Sequence, residues 1–509
     1  MGIIEGLDKF NFMKRYLCFA ILLVAGLSLS GQSHQDVLLF SDQSYTGTAR
    51  SHAMGNAFGA LGADMTSIHI NPAGLGVYRT FSMSATTGLG MREISAYYQG
   101  NKTIDFAGNF NLTSFGLVSP AKRNPKGDWR RVNYAFTYNK TNVFKSSSDV
   151  SGFNEQSSLV DVFLDYAQGV SIDNLNQFYE GGAFWVDLID LEVDTAGEWI
   201  DNGAYFREVE AGQYQRKITN TTGSMGEFQI SYAGSYKEKL YIGASVGMST
   251  IDYLKETYYQ ESDFSDTLST VQNFYMRDDL YTSGAGLNLK IGGILRVNDQ
   301  LRLGLTWHSP TFYNMQDEWQ MKIDAQHQLY DSAYSYTHTS PYGIYNYEVV
   351  TPMKIITSAA VVLNKKLILS GDLEFMDYTT MQLNGNDYDY FEEQNREIAN
   401  TYTSTYNTRL GAELNLSPFV LRAGYAKYGN PIFRYEGAHM YESYNIDYKT
   451  ERQSWSVGIG KRNQYSYIDF AYSFTENAQT DLMYNDLYVE STKLVNSYQK
   501  IMLTLGWKF

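Results

Sequence analysis

The chain has 509 residues, a formal net charge of −15 and a mean hydropathy of −0.35. So acidic a balance argues against nucleic acid as a partner. Beyond the amino terminus no stretch reaches the ~18–20 apolar residues of a membrane-spanning helix.

Lys14 and Arg15 precede the apolar stretch Tyr16–Leu29 and the small-residue site Ser28-Leu29-Ser30. This is the layout of an export signal, with cleavage expected after Ser30. Met13 is the better start, and Gly6 stands where a myristoylation motif needs Ser or Thr. The only cysteine, Cys18, lies inside this signal, so residues 31–509 hold no thiol for a disulfide or a metal.

Residues 31–79 are too long for a linker and are dense in small residues, among them Gly55, Gly59, Gly62, Ala63 and the run Asn71-Pro72-Ala73-Gly74-Leu75. A compact plug inside a narrow bore is expected. Asn71 and Pro72 set its turn, because Pro fixes φ and Asn can bond its own backbone.

From residue 80 to Phe509 the chain alternates short and long connections. The short ones are Ala121–Trp129, Lys237–Lys239, Asn298–Asp299, Asn364–Lys366, Ser417–Pro418 and Asn463–Tyr465. The long ones are Gly100–Phe110, Lys145–Thr222, Ser262–Asp278, Glu318–Tyr347, Asn384–Thr403, Pro431–Thr450 and Ala478–Val495. Tight turns at one end and large loops at the other are the arrangement of an outer-membrane barrel. The fold class read here is all-β: a transmembrane antiparallel β-barrel of about 14 strands behind an N-terminal plug. Abundant Tyr and Gly (43 each) suit interface girdles and close backbone approach.

The strand signal is period-two alternation. Leu240, Ile242, Ala244, Val246 and Met248 share one face, with Tyr241, Gly243, Ser245 and Gly247 on the other. Trp307, Trp319, Trp455 and Trp507 fall near proposed strand ends, where indoles favour the head-group level. The last strand alternates through Ile501, Leu503, Leu505 and Trp507 and stops on Phe509, resembling the signal read by the barrel-assembly machinery.

The run Ala49 to Asp64 with Asn71-Pro72-Ala73-Gly74-Leu75 resembles the hatch of the FadL/TodX family of outer-membrane transporters for hydrophobic compounds. Leu303–Pro310, Asp372–Tyr378 and Leu421–Ala426 are similar to the family in the same order. The resemblance implies a fourteen-stranded barrel with a hatch at 31–79 and a barrel at 80–509. It further implies passive uptake of a fatty-acid-like or aromatic solute, caught at outer loops and released sideways into membrane and lipopolysaccharide surroundings. His69 departs from the apolar residue expected before the hatch motif.

In the largest loop, 145–222, Leu159, Val162, Phe163 and Tyr166 fall at helical spacing. Phe184, Trp185, Leu188 and Ile189 are expected to line a capture groove for an apolar ligand. His69 and His308 are the candidate ligands of an alternative, haem-binding reading, and a subunit or shuttle of a secretion apparatus is a further alternative. Gly243–Gly247 matches a serine-hydrolase elbow, but that motif needs a strand-to-helix turn, whereas here it lies within a strand. No enzyme activity, cofactor or metal site is expected.

Overall fold

The computed structural model describes residues 33–42, 45–124, 126–432, 451–484 and 489–509. The expected export signal, residues 1–30, lies outside the described residues, as does nearly all of the connection Pro431–Thr450. Among the described residues no helix is long and apolar enough to cross a membrane.

One antiparallel sheet closes on itself. Its strands are β1 (Ser82–Tyr98), β2 (Asn101–Arg123), β3 (Trp129–Val143 and Ser146–Asn154), β4 (Gln213–Tyr236), β5 (Leu240–Ser262), β6 (Val271–Arg296) and β7 (Leu301–His308 and Phe312–Leu329). There follow β8 (Ser332–Thr339, Gly343–Val350 and Lys354–Leu363), β9 (Leu367–Asp377 and Gln382–Asn384), β10 (Ser404–Leu416), β11 (Phe419–Tyr428), β12 (Arg452–Arg462), β13 (Ser466–Asp481) and β14 (Thr492–Lys508). The 19 hydrogen-bonded segments make fourteen strands, because β3, β7 and β9 each run through one break and β8 through two. Closure is direct: β14 pairs with β1 from Ser82↔Lys508 to Tyr97↔Lys493. Phe509 caps the seam, its N–H donating to the Phe81 carbonyl at 2.9 Å.

The alternation sorts side chains as a barrel in lipid requires. On β5, Val246 is 56% exposed outward while Ser245 is buried inward, and its hydroxyl donates to Ser231 at 2.8 Å. Leu305, Phe312, Leu421, Val457, Ile468 and Leu503 continue this outward apolar band around the cylinder. The Gly243–Gly247 run lies inside β5 and makes no elbow.

The wall is taller than the spacing of apolar residues suggests. Two connections expected as loops are ladder. β1 and β2 meet at a turn of Gln99 and Gly100, and β7 and β8 continue to a turn at Tyr330 and Asp331. Within 145–222 the strands also extend, Ser146–Asn154 pairing with residues 213–221, so the loop proper spans 155–212. Beyond the apolar band the pattern on β7 inverts, Met321, Ile323 and Ala325 facing inward against the large loop with Lys322, Asp324 and Gln326 between them, while the hydrogen-bonded ladder continues. Trp319 turns inward against Phe178 of the large loop, at 5.9 Å between rings, and does not join an outer girdle.

Candidate functional site

The N-terminal segment fills the bore. Helix α1 (His34–Ser41) places Val37 and Phe40 in an apolar cluster with Phe144, Met225, Ile251 and Tyr253 of the wall. Phe40 meets Phe144 and Tyr253 edge to face, at 6.4 and 6.2 Å. Helices α2 (Ala49–His52) and α3 (Met65–Ile70) and the 3₁₀ turn Pro72–Val77 follow. Thr48 and Asp64 cap α2 and α3 through their side chains, and the Thr48 hydroxyl donates to Asp64 at 2.8 Å, tying the two starts together.

The wall makes room where the segment touches it. A Cβ on Gly411 would lie 2.6 Å from the Met54 carbonyl oxygen, and one on Gly424 would collide with the Gly55 nitrogen. Gly243, Gly304 and Gly458 meet Pro72, Gly59 and Ala53 in the same way. Gly55 takes a φ of +61°, with the carbonyls of Leu410 and Tyr425 where a side chain would stand.

Polar bonds fasten the segment around the circumference. Ala49 N–H donates to Thr504 on β14 at 2.8 Å, and His52 Nε2 meets Ser473 on β13 at 2.7 Å. Gly59 N–H donates to Asp372 on β9, and Asn133 Nδ2 on β3 donates to the carbonyls of Leu75 and Tyr78. Arg50 makes a fork to Glu413 at 2.8 and 2.9 Å; Glu413 also holds Arg422, which reaches Asp469. These charges are buried, so each carboxylate needs its cation.

The residues singled out in the sequence separate cleanly. Asn71 does more than hold its own turn. Its Oδ1 accepts from Ala73 N–H at 3.0 Å, while Nδ2 donates to Gly59 O at 2.7 Å and to Gly293 O on β6 at 3.1 Å. Pro72, Ala73, Gly74 and Leu75 are all buried behind it. His69 donates through Nδ1 to Glu227 at 3.1 Å, a carboxylate that Lys290 also binds. His308 Nε2 donates to the Ile70 carbonyl at 3.0 Å. Each ring gives one nitrogen to seating the segment, which explains a histidine before the Asn-Pro-Ala run.

Of the four residues expected to line a capture groove, Phe184, Leu188 and Ile189 are buried in an apolar cluster that the loop shares with the upper wall. Helices α4 (Leu159–Ala167) and α5 (Glu180–Trp185) bury them with Leu159, Val162 and Phe163. Only Trp185, 48% exposed, reaches the surface. It stands 6.3 Å from Trp199, and Val193, Ile200 and Phe206 are exposed in the same loop. The spacing of a short helix could not separate its buried face from its free one. Glu261 of β5 fastens this loop, accepting from Leu159 N–H at 2.9 Å and Tyr259 OH at 2.6 Å and binding Ser158. Outside the barrel wall, burial pushes the Glu208 carboxyl above its ordinary range, reinforced by Asp190 and Asp187.

Comparison with known proteins places this architecture. Neither a protein-family model nor a curated protein sequence matches the chain. Among solved structures, a Pseudomonas aeruginosa FadL homologue superposes with a TM-score of 0.55 at 13% identity, over 92% of this chain and 100% of that one. The toluene transporter TodX of P. putida gives 0.51 at 12%, over 92% and 99%. The chain has the fold of these channels: a closed barrel of fourteen strands with its amino-terminal region at the bore.

Proposed function

We propose that this protein is a passive channel of the bacterial outer membrane for a hydrophobic small molecule. The observation that carries the reading is the pairing of a lipid-compatible outer band with a bore stoppered by the chain's own hatch. An apolar solute that moves through such a wall avoids bulk water, a gain of roughly 25 cal/mol per Å² of apolar surface kept dry. The solved structures of this fold include a toluene transporter, which favours a neutral aromatic or alkyl cargo. Capture falls to the exposed aromatic patch around Trp185 and Trp199. The hatch then gates passage, with Asn71 and His69 seating it against the wall. Carrier work of this kind needs no catalytic group, and the last strand with Phe509 serves delivery by the assembly machinery.

The test is uptake of labelled monoaromatic and alkyl solutes by cells making the protein or its Trp185→Ser, Trp199→Ser variant. The reading expects wild-type cells to take up at least one class faster than cells lacking the protein, and the variant to lose most of that gain at low solute concentration. Equal uptake with and without the protein, for every apolar class tried, would overturn it.

A further inference from the structure

Charge is separated along the barrel axis. At the end with the large connections, the loop 155–212 holds thirteen Asp and Glu and a single Arg. At the end with the tight turns the balance reverses. The stretches 121–131, 237–239, 296–302, 364–366, 415–419 and 461–465, with Arg79 and Lys508 at the seam, hold fifteen Lys and Arg against Asp128, Glu238 and Asp299. A chain of formal charge −15 thus ends in a strongly basic rim. Solvation asks for charge at a surface but not for a single sign.

Part of this charge is neutralised within the rim. Arg131 meets Glu238 at 2.6 Å, Arg296 meets Asp299 at 2.6 Å, and Lys237 approaches Asp128 at 3.5 Å. Among the described residues the rim's ion pairs leave out Lys126, Arg130, Lys239, Lys365, Lys366 and Lys461. These six are spread over the connections β2–β3, β4–β5, β8–β9 and β12–β13. Lys461 continues the outward row of Val457 and Ile459. Exposed aromatic side chains stand among the cations: Phe81, Trp129, Phe419, Tyr465 and Phe509. Trp129 packs edge-on to Tyr236 at 5.6 Å, and the Lys237 ammonium lies 5.1 Å over the same Tyr236 ring. An aromatic girdle marks where a barrel wall passes from acyl chains to head-groups. The free cations therefore stand at head-group level.

A docked protein would meet such a rim from one side, and its cations would be gathered there. Cations spaced around the circumference match a partner that surrounds the wall, and only lipid does so. We propose that the short-turn rim is a binding surface for anionic phospholipids of the leaflet that faces the periplasm. Lysine stems lie along the apolar wall while their ammonium groups reach the lipid phosphates. The ring fixes the depth of the barrel and gathers anionic lipid around it. It rests on the outer-membrane placement in the proposed function and not on what passes through the bore.

The test is reconstitution of the full-length protein in phosphatidylcholine vesicles carrying spin-labelled phosphatidylglycerol or spin-labelled phosphatidylcholine. Electron paramagnetic resonance reads the immobilised fraction of each label. At low salt the phosphatidylglycerol label should be held about fivefold more strongly, the scale of one lysine facing an anionic head-group, and added salt should shrink that preference. Changing all six free cations to Gln should bring the preference close to one. Lys365→Gln with Lys366→Gln should remove part of it, and serves if the sixfold variant fails to close its barrel. Lys102→Gln, Lys255→Gln and Lys322→Gln at the far end should leave it unchanged. Equal immobilisation of both labels by the intact protein, or an unchanged preference in the six- and twofold variants, would overturn the ring. Binding of soluble polyglutamate with no lipid preference would overturn it too, and assign the rim to an acidic polypeptide. Loss of the heat-dependent gel shift in vesicles of every composition would instead contradict the outer-membrane reading itself, so the two failures are told apart.

Discussion

The hatch and the large outer loop close the same cylinder by different physics. Residues 46–78 are small and spend their hydrogen bonds outward on Thr504, Ser473, Asp372, Asn133 and His308. What apolar burial the hatch has is shared with the wall, as where Met54 and Phe58 pack with Ile356 and Ala360. Residues 155–212 instead add Leu159, Phe163, Phe184 and Leu188 to one large apolar cluster with the upper wall, which contributes Ile94, Tyr98, Phe274, Met321 and Ile323. A loop held by that much shared apolar burial stays seated when single polar bonds go. A segment of small residues tied to the wall largely by polar bonds is released more readily, when a few of those bonds go. On the proposed channel reading, the hatch is thus the element that gates and the loop the one that presents a surface.

The largest expected effect comes from denying the hatch its seat. Gly424→Val places a side chain against the backbone of Met54 and Gly55, with no flexible neighbour to yield. Cleavage of residues 46–79 by added protease should rise tenfold or more while the barrel keeps its heat-dependent gel shift; a hatch as protected as wild type would erase the contrast. Next, Phe184→Ala should cost about 3–5 kcal/mol within the loop. Hydrogen exchange should then quicken across residues 159–209 and leave the hatch amides unchanged, so quickening in both would show one cooperative body. Asn71→Ala removes two donors and an acceptor, about 1–3 kcal/mol of hatch seating, visible as faster exchange in residues 59–78 alone. The smallest effect is one of pH. A carboxyl raised by burial penalises the folded loop above its folded pKa, and the penalty vanishes below the unfolded value. Raised as it is, Glu208 should let the loop tighten as pH falls through the acid range, after correction for intrinsic exchange, and Glu208→Gln should flatten that dependence.

The contrast was only partly legible in the sequence. Alternation on β5 and β14 marked the strands because lipid on one side forces period two, and the Asn71–Leu75 run marked the hatch. The upper ladder was not legible, since on β7 its apolar residues switch to the inner face, against the large loop. The buried ion network was hidden in plain sight: Glu374, Arg409, Glu413, Arg422 and Asp469 all occupy inward positions of otherwise apolar-out strands. Charges at that parity mark a filled bore. Phe184, Leu188 and Ile189 carried no mark to separate a groove from a core, because apolar residues serve both.

Single-channel conductance in planar bilayers tests the central claim most directly. The intact protein should show a closed baseline with rare openings, and a variant lacking residues 46–79, verified as a closed barrel by its gel shift, should conduct ions steadily. Equal conductance from the two proteins would contradict a bore stoppered by its own amino-terminal segment.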